Sequence, residues 1–78
     1  MKELVLRGNV QGVACRYYCV ENARALGMRA TATNLPDGTV RVVLDTENDV
    51  AVKKFITFLR ENPCNIRFWG TITGIEQH

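Results

Sequence analysis

Residues 28–45 run Met28-Arg29-Ala30-Thr31-Ala32-Thr33-Asn34-Leu35, then Pro36-Asp37-Gly38, then Thr39-Val40-Arg41-Val42-Val43-Leu44-Asp45. In the first part Met28, Ala30, Ala32 and Asn34 share one face, and Arg29, Thr31 and Thr33 share the other. That period of two belongs to a strand. Pro36-Asp37-Gly38 makes a turn, because proline presets the first turn dihedral and glycine supplies positive φ. Thr39 to Asp45 alternates again, with Val40, Val42 and Leu44 set against Arg41 and Val43. Two such runs joined by a tight turn form a hairpin.

On its N-terminal side, Leu4-Val5-Leu6 opens a short strand that ends at Gly8, and a loop follows through Ala14. From about Cys15 the period changes: Cys15, Cys19, Ala23 and Leu26 form an apolar stripe at helical spacing. Gly27 stands where a left-handed helix end is expected. On the C-terminal side, Asn48 reads as the N-cap of a helix from about Asp49 to Glu61. Val52, Phe55, Ile56 and Leu59 are its buried stripe. Asn62-Pro63 ends it, since proline disfavours helix at the preceding residue. Ile66 to Ile75 reads as a last strand, with Phe68 and Ile72 on one face and glycines at Gly70 and Gly74 where the strand can bulge. The order is strand, helix, strand, strand, helix, strand. This predicts an α+β, ferredoxin-like split βαβ sandwich (βαββαβ), with two helices on one face of an antiparallel sheet. Residues 1–78 are expected to form one domain.

Composition narrows the function. The chain has 78 residues, 46% hydrophobic and 23% charged, with a net charge of +2. No apolar run approaches the ~20 residues needed to span a bilayer, so no membrane role is expected. The N-terminus lacks a signal-peptide pattern, and the expected compartment is cytoplasmic. The charge is too small for a nucleic-acid protein, and Trp69 and the scattered phenylalanines form no basic aromatic platform. The three cysteines, Cys15, Cys19 and Cys64, are an odd number, against a disulfide framework. The only histidine is His78. Cys15 and Cys19 share a helix face but have no further ligand near them in sequence, and the one histidine is terminal, so no metal is expected.

Nucleophilic and acid–base motifs are equally scarce. There is no serine, no HExxH, no paired CxxC and no Walker loop. What remains is the loop Gly8-Asn9-Val10-Gln11-Gly12-Val13-Ala14-Cys15-Arg16, which joins a strand to a helix. A glycine-rich loop can aim backbone N–H groups inward at the positive end of the helix dipole. An arginine in the first helical turn adds a planar fork for two phosphate oxygens. The same pattern also fits an ordinary connection with a solvated arginine. Asn34 has two readings as well: a turn residue bonded to its own backbone, or a neutral group that holds a water. Asp37 is expected to bond within its turn. A thiol at Cys15, beside Arg16 at a helix N-terminus, would be reactive if partly exposed.

These residues carry a resemblance. Gly8 to Arg16 resembles the G-x-V-Q-G-V-x-F-R signature of the acylphosphatase family. Leu26-Gly27, with Asn34-Leu35-Pro36-Asp37-Gly38-Thr39-Val40, resembles its L-G and N-x-x-D-G-x-V segment. The likeness extends to the second helix ending in Phe58-Leu59-Arg60. It implies that Arg16 and Asn34 are catalytic, Arg16 binding the phosphate and Asn34 positioning the attacking water. Val10, Gln11, Gly12, Val13, Ala14 and Arg16 would bind the substrate, an acyl phosphate hydrolysed to a carboxylate and inorganic phosphate. Inorganic phosphate would be a competitive inhibitor, and no metal or organic cofactor is implied. The alternative is a non-catalytic module of the same fold that binds phosphate or other small anions.

The chain departs from the family pattern at four points. Cys15 stands where the signature has Phe, which would loosen the packing behind the loop. Ala30 replaces a Gly, and Ala32 stands where Val is common. The sequence given stops at His78, so the family's terminal fifth strand is expected to be missing.

Overall fold

The computed structural model describes residues 1–78. Strand β1 runs Lys2–Asn9, helix α1 Cys15–Ala25, β2 Ala30–Asn34, β3 Val40–Leu44, α2 Asp49–Glu61 and β4 Thr71–Gln77. The strands form one four-stranded sheet in the order β2-β3-β1-β4, and every neighbouring pair is antiparallel. This is the expected split βαβ arrangement.

Alternation sets the layers. Leu4 and Leu6 of β1 and Val40, Val42 and Leu44 of β3 are fully buried, and they meet Tyr18, Cys19 and Ala23 of α1 and Val52, Phe55 and Leu59 of α2 in one cluster. A core this small typically leaves only ~3–5 kcal/mol of net stability, and truncating a buried Phe to Ala costs about 3–5 kcal/mol. Phe55 is therefore a residue the fold cannot lose.

Helix α1 ends as expected. Gly27 is left-handed at φ 76, its N–H donates to the Arg24 carbonyl, and Met28 N–H reaches back to the Ala23 carbonyl at 2.9 Å. This pair of bonds is the Schellman pattern. The buried face of α1 is wider than the apolar stripe: Tyr18 and Asn22 are inside it too. The Tyr18 hydroxyl donates to the Leu59 carbonyl at 2.6 Å, which satisfies its polar tip, and its ring stacks on Phe68 at 4.5 Å between centroids. One side chain of α1 thus holds the end of α2 and the segment that follows it.

The last strand differs from expectation. It begins at Thr71, not Ile66, and continues to Gln77. Residues 62–70 are occupied otherwise. Asn62 takes the left-handed conformation, and its side-chain amide both donates to and accepts from the backbone of Ile66, each at 2.8 Å. Phe68 is drawn onto Tyr18, and Trp69 N–H donates to the Val13 carbonyl. Gly70 packs so closely that a Cβ would collide with the Asn9 carbonyl and the Val13 side chain. Only beyond Gly70 is the chain free to pair with β1, which itself shifts register between Arg7 and Gly8. No helix is long and apolar enough to cross a membrane.

Candidate functional site

Between β1 and α1 the chain turns through residues 10–14. Val10 is 1% exposed and anchors the loop in the core. Gly12 is left-handed at φ 71, and so is Ala14, at φ 65. Ala14 is also the residue before the first turn of α1, and no side chain caps that turn. Consequently the backbone N–H groups of Gln11 through Tyr17 donate to no group in the chain. A left-handed alanine costs roughly 1–2 kcal/mol, and it stands where the run of unpaired donors meets the positive end of the helix.

The loop is braced from two sides. The Gln11 side-chain amide donates to the Leu35 carbonyl at 2.7 Å and the Thr39 carbonyl at 2.9 Å, tying the loop to both ends of the β2–β3 turn. The Val13 carbonyl takes the Trp69 N–H. The turn stabilises itself without help from Asn34. The Asp37 carboxylate accepts from Thr39 N–H at 3.0 Å and from the Thr39 hydroxyl at 2.6 Å. These bonds hold the Asp37 carboxyl below its ordinary titration range. The expected role of Asp37 is met, and the turn reading of Asn34 is not: its side chain makes no hydrogen bond within the chain.

Loop, helix and hairpin enclose a cavity of about 490 Å³. The loop contributes Val10, Gly12 and Ala14; α1 contributes Cys15, Arg16, Tyr17 and Val20; β2 contributes Ala32 and Asn34. Arg16 and Asn34, 18 positions apart by their numbers (34 − 16), therefore line one space. Arg16 makes no ion pair with any carboxylate in the chain. Of the six residues expected at the loop site, Val10, Gly12, Ala14 and Arg16 line the cavity. Gln11 and Val13 do not. Gln11 turns its amide to the hairpin, and Val13 packs against Gly70 and the core. Tyr17, Val20 and Ala32 line the cavity without having been singled out. Val20, four residues after Arg16 on the helix, could have been suggested by that spacing.

Cys15 and Cys19 are both buried, at 2% and 0% exposure, with their sulfurs 3.9 Å apart. A hydrogen bond from Cys19 draws the Cys15 thiol down against its burial. Contact with Cys15, reinforced by burial, pushes the Cys19 thiol far up. Cys15 shows only a sliver of surface and lines the cavity, whereas Cys64 is exposed. The lining contains no carboxylate and no imidazole, and no cluster of three or more His, Cys, Asp or Glu side chains could hold a metal. Besides the Tyr17 phenol and the Cys15 thiol, the cavity offers a guanidinium, free N–H donors and one neutral amide. Chemically, that suits an anion that must be oriented and not protonated.

Comparison with known proteins gives the same grouping. The acylphosphatase family model matches residues 2–74. The chain is 35% identical over 74 residues to an acylphosphatase of Archaeoglobus fulgidus, covering 95% of this chain and 78% of that protein. It is 41% identical over 73 residues to one of Corynebacterium efficiens, covering 92% and 73%. A shorter match, 34% over 58 residues to the Lactococcus lactis acylphosphatase, covers 74% of this chain and 60% of that one. The fold superposes on the crystal structure of acylphosphatase from Bacillus subtilis with a TM-score of 0.79 at 23% identity, covering 99% of this chain and 80% of that chain. Matched along nearly all its length, the chain belongs to the acylphosphatase family.

Proposed function

We propose that the protein hydrolyses acyl phosphates, releasing a carboxylate and inorganic phosphate, in the cavity between the 10–16 loop and β2. The observation that carries this reading is the unmatched set of donors: N–H groups from Gln11 to Tyr17 without partners, beside an unpaired Arg16 and an unbonded Asn34 on one cavity. Arg16 and the loop N–H groups hold the phosphoryl oxygens. Asn34 orients a water in line with the bond that breaks. Phosphoryl transfer depends mainly on positioning and charge stabilisation, so such a cradle can act without a covalent intermediate. No cofactor enters this scheme. Inorganic phosphate, the product, occupies the same cradle and competes with substrate. On this reading the enzyme works in the cytoplasm.

The site also selects its leaving group. An alkyl phosphate monoester leaves as a strongly basic alkoxide and needs a positioned acid. An acyl phosphate leaves as a carboxylate, whose conjugate acid has a pKa of about 4, and departs unprotonated at neutral pH. The cavity lining supplies neither carboxylate nor imidazole. The test is phosphate release from benzoyl phosphate and from an alkyl phosphate monoester, followed across neutral pH. Hydrolysis of the first alone, at a rate nearly flat with pH, is expected. Comparable kcat/KM on both, or a sharp step near pH 6–7 of the histidine kind, overturns the mechanism. Phosphate binding without any turnover would favour the anion-binding alternative.

A further inference from the structure

Arg16 is flanked by two thiols that the hydrolytic scheme does not use. Cys15 precedes it and forms part of the cavity wall, and Cys19 lies one turn further along the same helix face. Their sulfurs are 3.9 Å apart and nothing stands between them. From this geometry we infer that Cys15 and Cys19 are a site of reversible oxidation, at which a peroxide closes a disulfide that pulls the first turn of α1 out of shape and disables the phosphoryl cradle. The functional part of this inference rests on the reading of the cavity given above; the bond itself does not.

The path to the bond follows the burial. Cys19 is wholly enclosed, so an oxidant small enough to enter the cavity meets Cys15 first. The Cys15 thiol loses its proton, its sulfur attacks one peroxide oxygen and breaks the O–O bond, and the hydroxide that leaves takes up that proton, giving a sulfenic acid and one water. The Cys19 sulfur then attacks the sulfenic sulfur and expels a second water. Two thiols and one hydrogen peroxide become one disulfide and two waters.

The consequence follows from helical geometry. Residues four apart on a helix have Cβ atoms about 5–6 Å apart, whereas a disulfide needs about 3.5–4.5 Å. One turn must therefore deform. Cys19 is packed beneath the sheet, but Cys15 is the first residue of α1 and follows a left-handed, uncapped Ala14. The turn yields at Cys15 and Arg16. A misplacement of ~1 Å at a positioning group can cost about 100-fold in rate.

The experiment treats the full chain with hydrogen peroxide, in the parent, Cys64→Ala and Cys19→Ala forms. Peptide mass spectrometry reads the Cys15–Cys19 bond, amide NMR reads the N–H groups of residues 14–17, and benzoyl phosphate reads turnover. The parent and Cys64→Ala should form the bond, shift those amides and lose about 100-fold in turnover, all restored by dithiothreitol. Cys19→Ala should show no bond and no thiol-reversible loss. Absence of the 15–19 bond in the oxidised parent overturns the proposal, as does a bond that leaves the amides and the turnover unchanged. Lack of turnover in the untreated protein would defeat the functional reading separately, with bond and amides still deciding the oxidation site.

Discussion

The two helices begin in opposite ways. At the start of α2, Asn48 is extended, and its side chain accepts from Val50 N–H at 2.9 Å, with Asp49 adding a negative charge in the first turn. At the start of α1, Ala14 is left-handed and has no side chain that could cap, and the first turn holds no acid. It carries Arg16 instead, adding positive charge to an end that is already positive. A helix whose only task is to cover the sheet satisfies its own terminus. One that leaves its donors free and adds a cation forgoes about 1 kcal/mol of capping and gains a place for an anion. The difference separates a capped terminus from an open one within the same small molecule.

The sharpest way to break this comparison is to remove the added cation. Arg16→Ala should lower turnover of an acyl phosphate by roughly 10²–10³-fold or more, and, if the guanidinium holds phosphate in ground and transition states alike as proposed, it should also weaken inhibition by inorganic phosphate. Steady-state kinetics with phosphate as inhibitor reads both. Loss of rate with unchanged phosphate inhibition would remove Arg16 from the cradle.

Asn34 comes next. Its side chain makes no bond in the turn, so truncation should leave the fold intact. Asn34→Ala should lower kcat by about 100-fold, the worth of one positioned hydrogen-bonding group, with phosphate inhibition little changed. Near-normal turnover would end the water-positioning role.

At the other helix the effect moves from activity to stability. Asn48→Ala should cost about 1 kcal/mol, a fall in Tm of roughly 4–8 °C for a domain of this size, with kcat/KM unaltered at temperatures where the chain is folded. Thermal denaturation and turnover on the same sample test this. A Tm unchanged from the parent would mean that the two termini differ less than their geometry indicates.

The contrast was half legible in the sequence. Asn48, the turn Pro36-Asp37-Gly38 and Gly27 act on neighbours one to four residues away, and local pattern finds such residues. So does the loop from Gly8 to Arg16, where glycine spacing and a first-turn arginine sit side by side. The bracing of that loop was not legible. Gln11 reaches Leu35 and Thr39, 24 and 28 positions away, and nothing local in the sequence says that its side chain braces the hairpin. The late start of β4 was hidden for the same reason. The apolar run Ile66–Ile75 alternates plausibly as a strand, but Tyr18, 50 positions before Phe68 by their numbers (68 − 18), draws that end onto the helices.

Asp37 gives the smallest effect and refines the comparison, because it does for the hairpin what Asn48 does for α2. Its carboxylate accepts two bonds from Thr39, which leaves Asn34 free to face the cavity, and the Gln11 brace rests on the two carbonyls, of Leu35 and Thr39, that frame this turn. Those bonds favour the charged form and lower its pKa in the folded chain. Linkage then gives the sign: the folded state binds fewer protons than the unfolded one in this range, so the contribution is complete above the ordinary Asp value of about 3.9 and is lost as pH falls through the lowered folded value. Across neutral pH it is constant. The carboxyl is exposed, so its effect on global stability should be slight and screened by salt. The local effect is readable by NMR. The Thr39 amide should shift with a midpoint below that of an unstructured aspartate, and Asp37→Asn should abolish that acid transition while keeping most of the turn. A Thr39 amide that titrates at the ordinary carboxylate value would show that the turn is not held by Asp37, and would reopen the question of which residue, Asn34 included, holds it.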